Sequence, residues 1–436
     1  MTASIKVGLL GLGVVGGGTW KVLQNNAEEI ARRAGRRIEI TAVAVRDVEK
    51  ARKLLGDSPI RVTTDGLEIA RDPQIDVVVE LIGGETLARE WVMEAIRQGK
   101  HVVTANKALL ARHGNEIFDA AGENDVMVAF EAAVAGGIPI IKAIREGLTA
   151  NRIQWVAGII NGTTNFILSQ MRSQGLPFEE VLAEAQRLGY AEADPTFDIE
   201  GVDAAHKLTL LASLAFGIPV QFDKAYVEGI ARLASEDILH AQRLGYRIKL
   251  LGITRHRPDG IELRVHPALV PDQCLLANVE GAMNAVLVRG DAVGPSLYYG
   301  QGAGALPTAS AVIADLVDVT RLQMADPEHR VPHLAFQPDA MADIPVLPMA
   351  EVRTSFYLRL RVDDRPGVLA DLARVLSQGG ISVGSMFQQP HGEHQADIIF
   401  LTHEAREGDV DAALAAIREL PFVHSGVTRL RVENIN

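Results

Sequence analysis

A chain of 436 residues, 47% hydrophobic and 22% charged, has the composition of a soluble globular protein with room for two or three domains. Its net charge of −12, with no local block of Lys or Arg, argues against a nucleic-acid-binding face. No apolar run approaches the roughly 20 residues that cross a bilayer, so no membrane partner is expected. The lone Cys274 excludes an internal disulfide, and the strand-like N-terminus MTASIKVGLLGLG lacks the pattern of a signal peptide, so a cytoplasmic location is expected.

Taken in chain order, residues 5–10 (IKVGLL) read as a strand running into GLGVVGGG and then a helically spaced stretch. IEITAVAVRD (38–47), DVVVELI (76–82), HVVTAN (101–106) and VMVAFEAAV (126–134) are further short, valine-rich strands with helix-like segments between them. Strands alternating with helices imply right-handed βαβ units, so residues 1–133 are expected to form a doubly wound parallel sheet.

The middle of the chain, 134–303, changes character. Helical segments at about 137–149 and 163–216 precede the strand-like YRIKLLGITRH, GIELRVHPALV, MNAVLVRG and SLYYG, an order that suggests an α+β domain. A helix starting at Pro307 (PTASAVIADLVDVTR) is expected to return to the first domain, completing it over about 304–325. Residues 337–353, with three prolines and little periodicity, read as a linker. The remainder, 354–436, alternates as βαββαβ, which folds as a ferredoxin-like sandwich.

Gly11, Gly13 and Gly16 satisfy G-x-G-x-x-G between a strand and a helix, the setting in which the motif signifies dinucleotide binding. Gly11 allows the tight turn, Gly13 the approach of a pyrophosphate, and Gly16 close helix–strand packing, with the phosphates at the helix N-terminus. At the end of the second strand stand Arg46 and Asp47. An arginine there suits the 2′-phosphate of NADP and an acid the ribose hydroxyls of NAD; Arg46 comes first and favours NADP(H), with NAD(H) tolerated. Either is equally an ordinary charge at a strand end.

The segment 185–207, AQRLGYAEADPTFDIEGVDAAHK, places five acidic side chains and one lysine before the apolar run LTLLASLAFG. If a helix begins near Asp198, then Asp203 and Lys207, four apart, project from one face. The bland reading is a solvent-facing pair worth about 0.3–0.5 kcal/mol. The apolar continuation points to a buried helix whose polar start lines an enclosed cleft. Asp194, Asp198 and Glu200 fit capping or solvent, with Asp198 as the N-cap.

Taken together, GLGVVGGG, TANK (104–107), EAAVAGGIPII (131–141), NGTTNFIL (161–168), LGYAEADPTFDIEGVDAAHK (188–207), YYGQGAGALPTASAV (298–312) and DRPGVLA (364–370) resemble homoserine dehydrogenase of the monofunctional bacterial type over essentially the whole chain. The resemblance implies reversible, NAD(P)-dependent reduction of L-aspartate 4-semialdehyde to L-homoserine. It implies a Rossmann-like nucleotide domain, an α+β substrate and dimerisation domain, and a C-terminal ACT domain. Hydride delivery to an aldehyde leaves an alkoxide that needs a positioned acid, and Lys207 is the candidate. Asp203 would hold Lys207 or the substrate ammonium, which Glu192 would also bind. Lys107, at the carboxyl edge of the sheet, would assist the substrate hydroxyl or the nicotinamide side. Val14, Val15, Thr104, Gly189 and Gly304 complete the cofactor contacts. A sodium-type ion on Glu131 and the carbonyls of Val134, Gly136 and Ile138 is implied by the resemblance alone. So is an effector site at Gly367 for threonine, the end product of a pathway shared with methionine and isoleucine. Paired ACT modules imply a homodimer or homotetramer. No His/Cys cluster suggests zinc, and His206 is expected to point away from the Lys207 face. Two other readings stay open: another ACT-bearing amino-acid dehydrogenase, and a non-catalytic nucleotide- and amino-acid-responsive sensor.

Overall fold

The computed structural model describes residues 3–424 and 427–435. The chain forms two compact units, one of residues 1–162, 203–224 and 282–344, the other of 163–202, 225–281 and 345–436. No helix among the described residues is long and apolar enough to cross a membrane.

The first unit contains a six-stranded sheet: β1 (Ile5–Leu10), β2 (Ile38–Ala44), β3 (Arg61–Thr63), β4 (Val77–Glu80), β5 (His101–Thr104) and β6 (Val128–Ala129). Its order is β3-β2-β1-β4-β5-β6 and every pairing is parallel. This is the doubly wound arrangement expected from the alternating strands, with its switch point between β1 and β4. Strand residues such as Val7, Val77, Val79 and Val103 are fully buried because helices cover both faces of a parallel sheet. One covering helix, Ala305–Leu322, does return from late in the chain. Its Val312 and Leu316 join the same core, and Gly18 on the helix Val14–Asn25 packs so closely that a Cβ would sit 2.4 Å from the Ala305 carbonyl oxygen.

Two features of this unit differ from the expectation. Residues Ile153–Ile159 form a strand, paired antiparallel with Met283–Gly290, which in turn pairs with Gly294–Gln301. The segment IQWVAGI is buried along nearly its whole length, so it lacks the alternation that marks a half-exposed strand. The helical stretch at 137–149 is shorter and irregular, Ile140–Lys142 followed by a wider turn over Ala143–Gly147.

The helix carrying Asp203 and Lys207 begins at Val202 rather than near Asp198. A single turn, Thr196–Ile199, precedes it, and Gly201 at φ 83° breaks the chain direction between the two. Asp198 lies inside that turn; its backbone start is held instead by Asp194, whose carboxylate accepts from the Thr196 amide at 3.1 Å.

In the second unit, Tyr246–Arg257 and Gly260–Pro271 form a long hairpin. Thr428–Val432 adds to it in parallel, followed by Arg353–Asp363, Gln395–Thr402 and Val383–His391. The βαββαβ module is therefore continuous with the hairpin sheet. Helices Val368–Gln378 and Glu407–Arg418 bury Phe356, Leu358, Leu360 and Phe400 on one sheet face. The alternate residues Tyr357 and Arg359 face the helix Ser235–Arg243, where Arg359 Nε and the Tyr357 hydroxyl donate to Asp237 at 2.6 and 2.9 Å. Within 337–353, read as a linker, Ala342 N donates to Gly217 O in the first unit, and Leu347 N donates to Ile261 O in the second.

Candidate active site

The glycine loop after β1 behaves as its spacing requires. Gly11 adopts φ 97°, and a Cβ there would meet the Leu81 carbonyl oxygen at 2.8 Å. At Gly16 a Cβ would collide with the Gly11 carbonyl at 2.2 Å, whereas nothing lies within 4 Å of one at Gly13. Gly13 is the N-cap residue of the helix Val14–Asn25, where Val14 is 74% exposed and Val15 half-buried. An approaching pyrophosphate would meet backbone amides at that helix end. Arg46 is exposed at the end of β2, while Asp47 caps the next helix by accepting from the Lys50 amide at 2.9 Å.

A chain of buried polar groups fixes the end of β5. The Thr104 hydroxyl donates to Glu80 at 2.7 Å and accepts from the Asn106 amide at 3.0 Å. Glu80 also takes the Ile82 and Gly83 amides, and burial pushes its pKa up. Asn106 caps the helix Lys107–Glu123 through the Leu109 amide and donates to Gly84 O. Thr104, fully buried, thus supports Lys107, the first residue of that helix, from below.

Lys107 and Lys207 converge on Asp203. Lys107 Nζ lies 3.1 Å from Asp203 Oδ1, and Lys207 Nζ donates to Oδ2 at 2.6 Å. Lys207 also donates to the Ile160 carbonyl at 2.8 Å, and Asn161 Nδ2 donates to Asp203 Oδ2 at 2.8 Å. Burial opposes ionisation of Asp203, but the two lysines outweigh it and hold its pKa well below the ordinary carboxylate range. Lys207 is 8% exposed, whereas the Lys107 side chain is about one third exposed. This is no solvated pair on a helix surface: two ammonium groups share one buried carboxylate, leaving the group net positive when both are charged. His206 turns to the Phe222 ring, 4.3 Å between centroids, and burial lowers its pKa to about 4. With its pKa so lowered, it is neutral at pH 7.

Beside the glycine loop 300–304 lies the turn after Glu131. A Cβ on Gly136 would sit 2.4 Å from the Gly302 carbonyl oxygen, and Gly137 N donates to Gln301 O. Ala135 and Gly136 both take left-handed φ, 54° and 41°, and the Ala135 and Ile138 carbonyls accept from the Ile138 and Ile140 amides. Glu131 accepts from the Ile141 and Lys142 amides, yet burial pushes its pKa up to about 7. Asp315, which accepts from Glu131 N at 2.8 Å, is raised by burial and by Glu131 itself. Arg145 is the cationic neighbour of both buried carboxyl groups, joined at Glu131 by Lys142. Among the described residues no group of three or more His, Cys, Asp or Glu side chains could hold a metal. Gly304, at φ 129°, opens the helix Ala305–Leu322.

Within the second unit, Gly189 has φ 77° and Glu192 is exposed on the loop that follows. Gly367, at φ 94°, lies in a cavity of about 420 Å³ lined by residues 363–369, Gln388 and Ile398. Sequence reasoning missed Ile160, Asn161, Glu80 and Asn106. The first two follow the strand Ile153–Ile159, which it did not see, and Asn161 opens the NGTTNFIL motif that it did quote.

A parallel doubly wound sheet with a G-x-G-x-x-G turn after its first strand, and a lysine–aspartate–lysine cluster in the same unit, is the architecture of a dinucleotide-dependent oxidoreductase. Family models agree on the parts: "Homoserine dehydrogenase, NAD binding domain" over residues 11–131, "Homoserine dehydrogenase" over 139–317, and "ACT domain" over 356–422. The homoserine dehydrogenases of Pseudomonas aeruginosa and Neisseria gonorrhoeae are 61% and 55% identical, with 99% of each chain covered. A crystal structure of a homoserine dehydrogenase from Thiobacillus denitrificans superposes with a TM-score of 0.95 at 64% identity, over 99% of both chains. That from S. aureus, at 33% identity, gives 0.77, again over 99% of both. The chain belongs to the homoserine dehydrogenase family.

Proposed function

We propose that this enzyme interconverts L-homoserine and L-aspartate 4-semialdehyde with Lys207 as the proton-exchanging group, in the cytoplasmic route to threonine, methionine and isoleucine. The observation that carries the reading is the single buried Asp203 carboxylate shared by Lys207 and Lys107. Gly11, Gly13, Val14, Val15 and Gly16 would hold the dinucleotide phosphates, with Gly189, Gly304 and Lys107 toward the nicotinamide half. The bound nicotinamide supplies or accepts the hydride. An aldehyde oxygen between the two ammonium groups has its developing negative charge stabilised by both. Lys207 then gives its proton to the alkoxide, forming the alcohol, and in the opposite direction the neutral amine takes the hydroxyl proton. Asp203 keeps both amines in place and offsets their charge, and with Glu192 supplies anionic partners for the substrate ammonium. Asp47 is committed to a helix cap, so Arg46 is the group left to meet the ribose, which favours NADP(H) over NAD(H).

A sodium-type ion at Glu131 with the carbonyls of Val134, Gly136 and Ile138 would brace the turn against the 300–304 loop. We assign residues 1–133, completed by 304–325, to nucleotide binding, 134–303 to substrate binding and subunit pairing, and 354–436 to regulation through threonine in the cavity at Gly367. Tyr299, exposed on the edge strand Gly294–Gln301, supports assembly as a homodimer or homotetramer. Initial rates of homoserine oxidation with NADP⁺ and NAD⁺, each with and without threonine, test this reading. A faster NADP⁺ reaction suppressed by threonine is expected; absence of turnover with either cofactor would overturn it.

A further inference from the structure

Ile160 and Asn161, two consecutive residues between the strand Ile153–Ile159 and the helix Gly162–Gln174, touch opposite halves of one ion pair. The Ile160 carbonyl accepts from the Lys207 ammonium, and the Asn161 amide donates to the Asp203 carboxylate. Only its nitrogen end can face a carboxylate, so chemistry sets the orientation of the Asn161 amide. Asn161 is 4% exposed and Asp203 3%, so this bond forms where the dielectric is low and its geometric demand strong.

A carboxylate held only by two long, flexible lysine side chains can still tilt about its terminal torsion, and each tilt moves both amine contacts. A third, neutral donor on Oδ2, anchored to a strand end, restricts that tilt. We propose that Asn161 is a positioning residue for the dehydrogenase reaction. Its amide fixes the Asp203 carboxylate so that Lys207 stays on one oxygen and Lys107 on the other. The ammonium that exchanges the proton thereby keeps one orientation through the cycle. This rests on the reading of Lys207 as the proton-exchanging group.

The test compares homoserine oxidation by full-length Asn161→Ala, Asn161→Asp and Lys207→Ala at saturating cofactor. Asn161→Ala is expected to lower kcat about 10- to 100-fold, as for one lost hydrogen bond to a charged group, with KM for the cofactor within about twofold. Asn161→Asp keeps the shape but, once ionised, faces Asp203 with a like charge; when protonated it donates in place of the amide. Its rate relative to wild type should therefore climb as pH falls, while the ratio for Asn161→Ala stays flat. The charged and titratable groups around the bond, Asp203, Lys207, Lys107, His206 and, beyond Phe222, Arg112, are unchanged between wild type and the two Asn161 variants. Wild-type kcat in Asn161→Ala, with Lys207→Ala inactive, overturns the proposal. An active Lys207→Ala overturns the underlying reading instead. Should Asn161→Ala fail to fold, a pH-independent ratio for Asn161→Asp overturns the proposal by itself.

Discussion

Replacing Asp237 by alanine should cost more stability than any exposed ion pair in this protein. Asp237 is 1% exposed and accepts from Arg359 Nε and Nη2 at 2.6 and 2.9 Å and from the Tyr357 hydroxyl at 2.9 Å. Burial opposes the charge on Arg359, but Asp237 more than compensates and raises its pKa. Removing the carboxylate leaves a guanidinium only 6% exposed, with Glu236 at 3.3 Å and the Thr428 hydroxyl at 3.1 Å as remaining partners. Breaking a buried pair in this way costs about 3–5 kcal/mol, which for a unit of this size lowers Tm by about 10 °C. The helix Ser235–Arg243 and the βαββαβ sheet share this contact, so calorimetry of Asp237→Ala should show the second unit melting earlier. Pairing Asp237→Leu with Arg359→Met removes both charges and should recover most of the loss. A single alanine variant melting within about 2 °C of wild type, a loss of about 1 kcal/mol or less, would refute the claim that this pair is buried and compensated.

His101 accepts from the Met127 amide, and burial lowers its pKa to about 4 from 6.5. A depressed histidine contributes stability that is complete above pH 6.5 and lost as pH falls through about 4, here about 3 kcal/mol. The fall in Tm between pH 6.5 and 4 should accordingly be shallower in His101→Gln than in wild type, relative to each protein at pH 7. Arg46→Ala should reduce the ratio of NADP⁺ to NAD⁺ specificity about tenfold or more, as expected for one charged contact to a phosphate, read from kcat/KM for each cofactor. Effector response is best tested with Gly367→Asp, which should leave basal turnover intact and abolish inhibition by threonine. Deletion after residue 345 would strip Thr428–Val432 from its parallel partner at 268–269 and expose Arg264, which is 1% exposed and bonded to Glu433.

Much of this was written locally in the sequence. Valine-rich strands bounded by glycine turns, the three-glycine loop and the Asp203–Lys207 spacing all rest on periods of two or about four residues, which a linear reading captures. The strand Ile153–Ile159 escaped because it is buried on both sides and carries no alternation. Asn161 escaped with it, since its importance lies in a partner 42 positions away. Asp198 was misplaced as a cap because Gly201 and its positive φ divide what reads as one helix into two. The continuity of the regulatory module with the hairpin sheet rests on a parallel pairing between Ala268 and Arg431, a separation that no local pattern encodes.

Lys207→Ala is the variant on which the chemistry turns. With homoserine and NADP⁺, kcat should fall about 10²- to 10⁴-fold while the cofactor dissociation constant, measured by fluorescence titration of NADPH, stays within about twofold. Turnover near wild type, or a loss explained by weakened cofactor binding, would contradict a proton exchanged by the amine that Asp203 holds.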